Sequence, residues 1–327
     1  MQQLIKKLLD SFFLLRIPLL APVWTIFLLG WITGNPHAVP GGFFLQPSLI
    51  KVVMDAWVLL AGFSLVVASI YVVNQIADIE SDRINHKLFI LPNGFVSVRA
   101  AWIMATVCAV SGMSIAFFYG KIFLLFFSVS LLLGYLYNLP PAVLKNKAIG
   151  GVVANAIGHG MITYLIGWYC AHLNEPYSLS MFFSGVLSSI GPTMANGAVF
   201  LATTVPDSEG DRNTGKITFC VRYGEKTTAI FSAFLCVLSF AFSFFIEFNA
   251  WVMIIPALIS VVFFVYFAMS TRKELAFRAF KWPVFLLSFA VVVFQPEYGL
   301  LIMITFAGSR MYYKWRFNIN YPTFKSE

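Results

Sequence analysis

The chain has 327 residues, 59% of them hydrophobic and 11% charged, with a mean hydropathy of +0.82. This composition excludes an ordinary soluble domain and points to an all-α, polytopic membrane protein. A formal charge of +8 does not indicate nucleic acid here, because the basic residues are distributed as the loop charges of a membrane protein.

A hydrocarbon core about 30 Å thick takes roughly 20 apolar residues per helix. Runs of that kind predict spans near residues 12–34, 52–77, 97–118, 121–137, 149–173, 178–203, 227–246, 250–270 and 282–310, which makes nine. The first continues through "PVWTIFLLGWITG", past signal-peptide length and without a clear small-residue cleavage site, so it is expected to stay. In the last, Pro296 and Gly299 of "FQPEYG" leave open one long helix or two short ones. Cys108, Cys170, Cys220 and Cys236 form no CxxC pair, so neither a zinc site nor a disulfide framework is expected and they read as packing residues.

With the N-terminus placed in the cytoplasm, 16 of the 22 Lys and Arg fall before the first span, near its start, or in alternate loops on that side. The others are Lys51, Lys121 and four in the C-terminal tail. That tail, "RMYYKWRFN", fits poorly with an odd number of spans.

The second span ends in "NQIADIESDRINH". Asn74, Asp78 and Asp82 are four apart, so a helix stacks them on one face at about 6 Å per step. Glu80 lies off that stripe. Clustered carboxylates at a membrane are costly without a cation to neutralise them. A second cluster follows the sixth span in "TTVPDSEGDRNTGKITF", with Asp207 and Asp211 again four apart and Glu209 between them. In the topology above both loops lie on one side. For either cluster alone, solvated helix-end charge would account for the residues; two matched clusters point to a site. Oxygen ligands without nearby His or Cys suit Mg²⁺ or Mn²⁺ shared with the phosphate oxygens of a substrate, so a diphosphate is expected.

The same loops carry Arg83 and Lys87, Arg212 and Lys216, and Lys145 and Lys147. Such cations can neutralise phosphate oxygens, although cytoplasmic loops carry Lys and Arg in any case. Polar residues continue inward through Asn196, Thr203 and Thr204 on the sixth span and Asn155 and His159 on the fifth. In transmembrane helices such residues usually face a bundle interior or a cavity, and His159 could equally bond a neighbouring helix.

These residues resemble the UbiA superfamily of intramembrane prenyltransferases, whose signatures are an NxxxDxxxD first motif and a DxxxD second motif. Here they stand as "NQIADIESD" and "DSEGD". "YNLPPAVLKNKAIGG" resembles the family's tyrosine and lysine loop, with Tyr137 and Lys145 in those positions. Within the superfamily, "NQIADIESDRIN" and "VPDSEGDRNTGKITFCVRYG" look most like the homogentisate prenyltransferase and chlorophyll synthase branch. Many members follow the first motif with an Arg-Pro pair, where this chain has Phe89 and Ile90.

The resemblance implies a single domain over residues 1–327, with nine helices around a central cavity capped by two acidic loops. It implies that Asn74, Asp78 and Asp82 bind one Mg²⁺ and Asp207 and Asp211 another, bridging the diphosphate of an allylic prenyl donor. Lys145, Arg212, Lys216 and Arg83 would add positive charge, with Tyr137 beside them. Asn155, His159 and Asn196 would line the cavity. The implied activity is prenyl transfer to an aromatic or other lipophilic acceptor in membrane lipid. The expected setting is a prokaryotic inner membrane, with the active site facing the cytoplasm. A terpene cyclase of the same superfamily would use the same metal chemistry without an external acceptor. A transporter would instead predict charges near the bilayer midplane and two related halves, whereas these carboxylates sit at helix ends.

Overall fold

The computed structural model describes residues 2–41, 50–84 and 90–322, and the regular elements among them are helices. They are α1 (Gln2–Leu14), α2 (Leu20–Gly34), α3 (Ile50–Ala77), α4 (Ile79–Ile84), α5 (Val98–Tyr119), α6 (Lys121–Asn138), α7 (Ala148–Asn155), α8 (Thr163–Ala171), α9 (Leu179–Thr203), α10 (Ser208–Asn213), α11 (Phe219–Tyr223), α12 (Glu225–Phe242), α13 (Trp251–Ser270), α14 (Lys273–Phe294) and α15 (Pro296–Phe317). A π-helical turn, Ala156–Ile162, joins α7 to α8.

Among the described residues, nine helical stretches are long and apolar enough to cross a bilayer: Gln3–Gly34, Val53–Ala77, Val98–Tyr119, Lys121–Asn138, Ala148–Ala171, Leu179–Thr203, Glu225–Phe245, Trp251–Ser270 and Lys273–Phe294. The protein is therefore an integral membrane protein. The segment expected at 282–310 resolves into two helices, because Pro296 cannot continue α14 and instead starts α15 at its first position. The helix α14 also begins earlier than the apolar run, since Lys273, Arg278 and Lys281 are carried on its first turns.

The chain divides into two compact units. The first comprises Met1–Ala21, Ala61–Val143 and Leu300–Lys325. In it α3 packs against α5 and α6 through glycines: a Cβ on Gly112 would lie 2.6 Å from the Gly62 carbonyl oxygen, and one on Gly134 would overlap Ile70. Small residues permit this close approach in a membrane, where apolar burial does little to draw helices together. Around the last turns of α3, Phe13, Leu14, Val72, Val73, Ile90, Leu91, Val96 and Tyr312 form one buried cluster. Buried Asp10 accepts a 2.6 Å hydrogen bond from the Tyr312 hydroxyl and a 3.1 Å one from Arg316 Nε. The Arg316 guanidinium in turn lies 4.1 Å over the Phe95 ring. Gln75 donates to the Leu14 carbonyl at 2.7 Å, so α1, the end of α3 and the end of α15 meet at one end of this unit.

The second unit comprises Pro22–Leu60 and Leu144–Gly299. Here α9 packs against α12, α14 and the π-helical turn, and α13 packs between α12 and α14. The helices α2 and α8 cross with backbones touching: a Cβ on Gly167 would overlap the Phe27 carbonyl, and one on Gly30 the Tyr164 carbonyl. Buried Thr33 and Tyr164 share a 2.7 Å hydroxyl hydrogen bond at that crossing.

Candidate active site

In the first unit, α3 ends at Ala77 and α4 begins at Ile79, yet helical hydrogen bonding runs through the junction. Asp78 N donates to Asn74 O at 3.0 Å and Asp82 N to Asp78 O at 2.8 Å. The spacing of four therefore puts Asn74, Asp78 and Asp82 on one face, as expected from the sequence. Asn74 Nδ2 donates to Asp78 Oδ2 at 3.1 Å, and Asp82 is buried. Glu80, off the stripe, is exposed and takes Arg83 in an ion pair at 2.9 Å. Arg83 is exposed as well and also donates to the Pro92 carbonyl at 3.4 Å. Ile90, half of the pair that replaces Arg-Pro, is buried in the apolar cluster. Lys87 and Phe89 lie outside the described residues.

Two residues that local pattern did not single out meet this motif. Asn138, the last residue of α6 and buried, accepts from Asn74 Nδ2 at 2.7 Å. Arg16 Nη1 approaches Asn74 Oδ1 at 3.5 Å from a left-handed backbone position, φ 56°, where the chain turns between α1 and α2. Their sequence signals were an Asn closing an otherwise apolar helix and a lone cation between apolar runs. Tyr137, beside Asn138, is half-buried.

In the second unit, Asp207 precedes α10, and Asp211 N donates to Asp207 O at 2.9 Å, which stacks the second pair in the same way. The turn then closes through Gly215, whose φ of 72° favours glycine, with Lys216 N donating to Asp211 O at 2.8 Å. Asp207 and Arg212 are exposed, and Asp211 and Lys216 are half-buried. Glu209 lies 3.9 Å from Lys273 Nζ on the surface. The ammonium nitrogen of Lys145 is buried in the short turn Leu144–Asn146, while Lys147 is exposed. Asn155, His159 and Asn196 are half-buried. The π-helical turn that carries His159 lies against α9, where a Cβ on Gly160 would meet Thr193 Cα at 2.7 Å and Asn196 Cβ at 3.3 Å. Thr203 and Thr204 donate to carbonyls of their own helix, Phe200 at 2.6 Å and Leu201 at 2.7 Å.

Among the described residues, no group of three or more His, Cys, Asp or Glu side chains stands ready to hold a metal unaided. The all-oxygen sets fit a different use, since Mg²⁺ typically takes one or two carboxylates and completes its shell with water and substrate phosphate. The residues present fit such an ion. An integral membrane protein with acidic Asn/Asp motifs closing two of its long helices is the class that fold and site define.

The chain belongs to the UbiA prenyltransferase family, whose model matches residues 36–290. It is 26% identical over 207 residues to homogentisate phytyltransferase of Synechocystis sp., covering 62% of this chain and 63% of that protein. It is 30% identical over 165 residues to the 2-acyl-4-prenylphloroglucinol 6-prenyltransferase of Humulus lupulus, covering 48% of this chain and 39% of that one. The matches thus span less than two thirds of these relatives' lengths. The fold is that of a UbiA homolog from Archaeoglobus fulgidus solved with GPP and Mg²⁺, with a TM-score of 0.65 at 16% identity over 88% of this chain and 99% of that one.

Proposed function

We propose that the protein, acting as one prenyltransferase domain over residues 1–327, transfers an isoprenoid chain from an allylic prenyl diphosphate to an aromatic or other lipophilic acceptor within the membrane. The reading rests above all on the contact between Asn74 and Asp78 on a helical face that continues to Asp82. Membership of the family supports it, as do the names of the prenyltransferase relatives.

In this reading Asn74, Asp78 and Asp82 in one unit, and Asp207 and Asp211 in the other, supply ligand oxygens for Mg²⁺, with Mn²⁺ as a substitute. The bound ion would neutralise charge that develops on the departing diphosphate, where electrostatic catalysis has its greatest leverage. Lys145, Arg212 and Lys216 in the second unit would add cations to phosphate oxygens, as would Arg83 in the first on exchanging Glu80 for phosphate. The allylic C–O bond breaks with its electron pair leaving on diphosphate. The allylic carbon then bonds to the acceptor, which loses a proton. Tyr137 would flank the diphosphate, and Asn155, His159 and Asn196 would face the substrate chain or acceptor. The distribution of Lys and Arg supports a cytoplasmic active site, and we assign a prokaryotic inner membrane as the setting.

The test is purified protein with Mg²⁺, a panel of prenyl diphosphates and several aromatic acceptors. Prenylated acceptor should form, and excess EDTA should abolish it. Full turnover in EDTA would overturn the metal assignment. Prenyl hydrocarbon released equally with and without acceptor would replace transfer by cyclisation.

A further inference from the structure

We infer that Asn138 is a positioning residue that fixes the side-chain amide of Asn74 by its nitrogen, so that its oxygen is the atom left to take the cation. The inference rests on the metal assignment above and adds a residue from a different helix to it. Asn138 is 3% exposed. Its own Nδ2 donates to the Gly134 carbonyl at 2.9 Å, one turn back on α6, which leaves Oδ1 as the end presented to Asn74. Asn74 Nδ2 donates to that oxygen at 2.7 Å and to Asp78 Oδ2 at 3.1 Å. An amide nitrogen carries two hydrogens, and both are committed. Asn74 Oδ1 is therefore the amide atom left over, and a bound ion would take the place of its present contact with Arg16 Nη1 at 3.5 Å.

Rotating the Asn74 amide by half a turn would set its oxygen against two acceptor oxygens, one of them at a position now 2.7 Å from a donor. The orientation is thus specified twice, but not equally. When Asp78 commits its carboxylate to a cation, its hold on the Asn74 amide weakens, whereas the bond to Asn138 involves no ligand atom. Only Oδ1 of an amide can ligate a hard cation. Asn138 thus keeps a ligand atom of Asn74 in place while the ion binds. Hydrogen-bond partners of ligand residues commonly set metal affinity by 10- to 100-fold.

The experiment titrates Mn²⁺, read by EPR, into purified wild type, Asn138→Leu, Asn138→Asp and Asp78→Ala in detergent with inorganic diphosphate present. It also measures the Mg²⁺ concentration for half-maximal turnover. Leu shares the branching of Asn and removes the acceptor, so Asn138→Leu should weaken Mn²⁺ binding and raise the Mg²⁺ requirement about 10-fold. Its kcat at saturating Mg²⁺ should stay within about twofold of wild type. Asn138→Asp restores an acceptor oxygen and should recover most of the affinity. If Asn138→Leu does not fold, Asn138→Ala carries the same expectation. Loss of Mn²⁺ in Asp78→Ala, with wild-type affinity in the Asn138 variants, would overturn the positioning role and leave the metal assignment standing. Equal Mn²⁺ binding by wild type and Asp78→Ala would overturn the metal assignment itself. A fall in kcat and melting temperature with an unchanged metal requirement would mark Asn138 as merely structural.

Discussion

Lys145 holds its ammonium nitrogen out of solvent in a turn just before α7. A compact ammonium there suits a diphosphate oxygen as a point charge. Hydrogen bonds to charged groups contribute about 1.5–3 kcal/mol, so Lys145→Ala should lower kcat/KM for the prenyl diphosphate by roughly 10-fold or more. Lys273 is the control. Its partner Glu209 is 3.9 Å away and both side chains are more than half exposed, so Lys273→Ala should leave turnover unchanged. Steady-state kinetics on folded variants decide this, and wild-type constants for Lys145→Ala would reduce it to a loop charge. At this scale the stacking of Asn74, Asp78 and Asp82 was legible, because a spacing of four is a local property that the backbone honours even across the junction at Asp78. Asn138 and Arg16 were not legible. They reach Asn74 from 64 and 58 positions away, and no local periodicity encodes a contact of that range.

The helices were legible as apolar runs because each must fill a hydrocarbon core, and the segments expected for the second to eighth spans agree closely with the helices observed, whereas the run expected at 12–34 is divided between α1 and α2 by the turn at Arg16. Composition did not show which small residues lie at crossings. Gly167 and Gly308 look alike in sequence, both in apolar helices. Yet a Cβ on Gly167 would overlap the Phe27 carbonyl of α2, whereas one on Gly308 meets nothing within 4 Å. Overpacking a tight contact costs about 1–3 kcal/mol, so Gly167→Ala should lower the melting temperature in detergent. Gly308→Ala replaces a poor helix former in α15 by the best one, and should raise stability by about 0.5–1 kcal/mol. The same sign for both variants would contradict the α2–α8 packing. The π-helical turn was also hidden, because one extra residue in a turn leaves the hydrophobic pattern of "NAIGHGMITY" almost unchanged. The early start of α14 was hidden for a related reason. Lysine and arginine at a helix end carry their charge to the interface while their stems stay apolar, and a hydropathy reading stops short of them.

Contacts at one end of the first unit carry a prediction about membrane topology. Gln75, near the end of α3, bonds the Leu14 carbonyl, and Asn138, at the end of α6, bonds Asn74. The chain is therefore back on its starting side after two spans and again after four. Five further candidate spans, from Ala148–Ala171 to Lys273–Phe294, leave Gln295 on the opposite side. Arg316 nevertheless pairs with Asp10, before the first crossing. These contacts predict that α15 adds a further pass to the nine candidate spans. Its 22 residues extend about 33 Å at 1.5 Å per residue, enough for a core about 30 Å thick. Its apolar run, 298–309, is bounded by Glu297 in its first turn and by Arg310, Lys314 and Arg316 after it. The tenth pass returns the four cations of the tail to the side of the other sixteen, leaving Lys51 and Lys121 as exceptions, and so removes the misfit that an odd number of spans created. Cys108, Cys170, Cys220 and Cys236 are all buried, so an introduced cysteine can report its own exposure. A membrane-impermeant maleimide should label Gln3→Cys and Asn318→Cys from one side of sealed vesicles and Lys121→Cys from the other. Labelling of Asn318→Cys from the side of Lys121→Cys would rule out the tenth pass, and with it the Asp10–Arg316 pairing in the membrane.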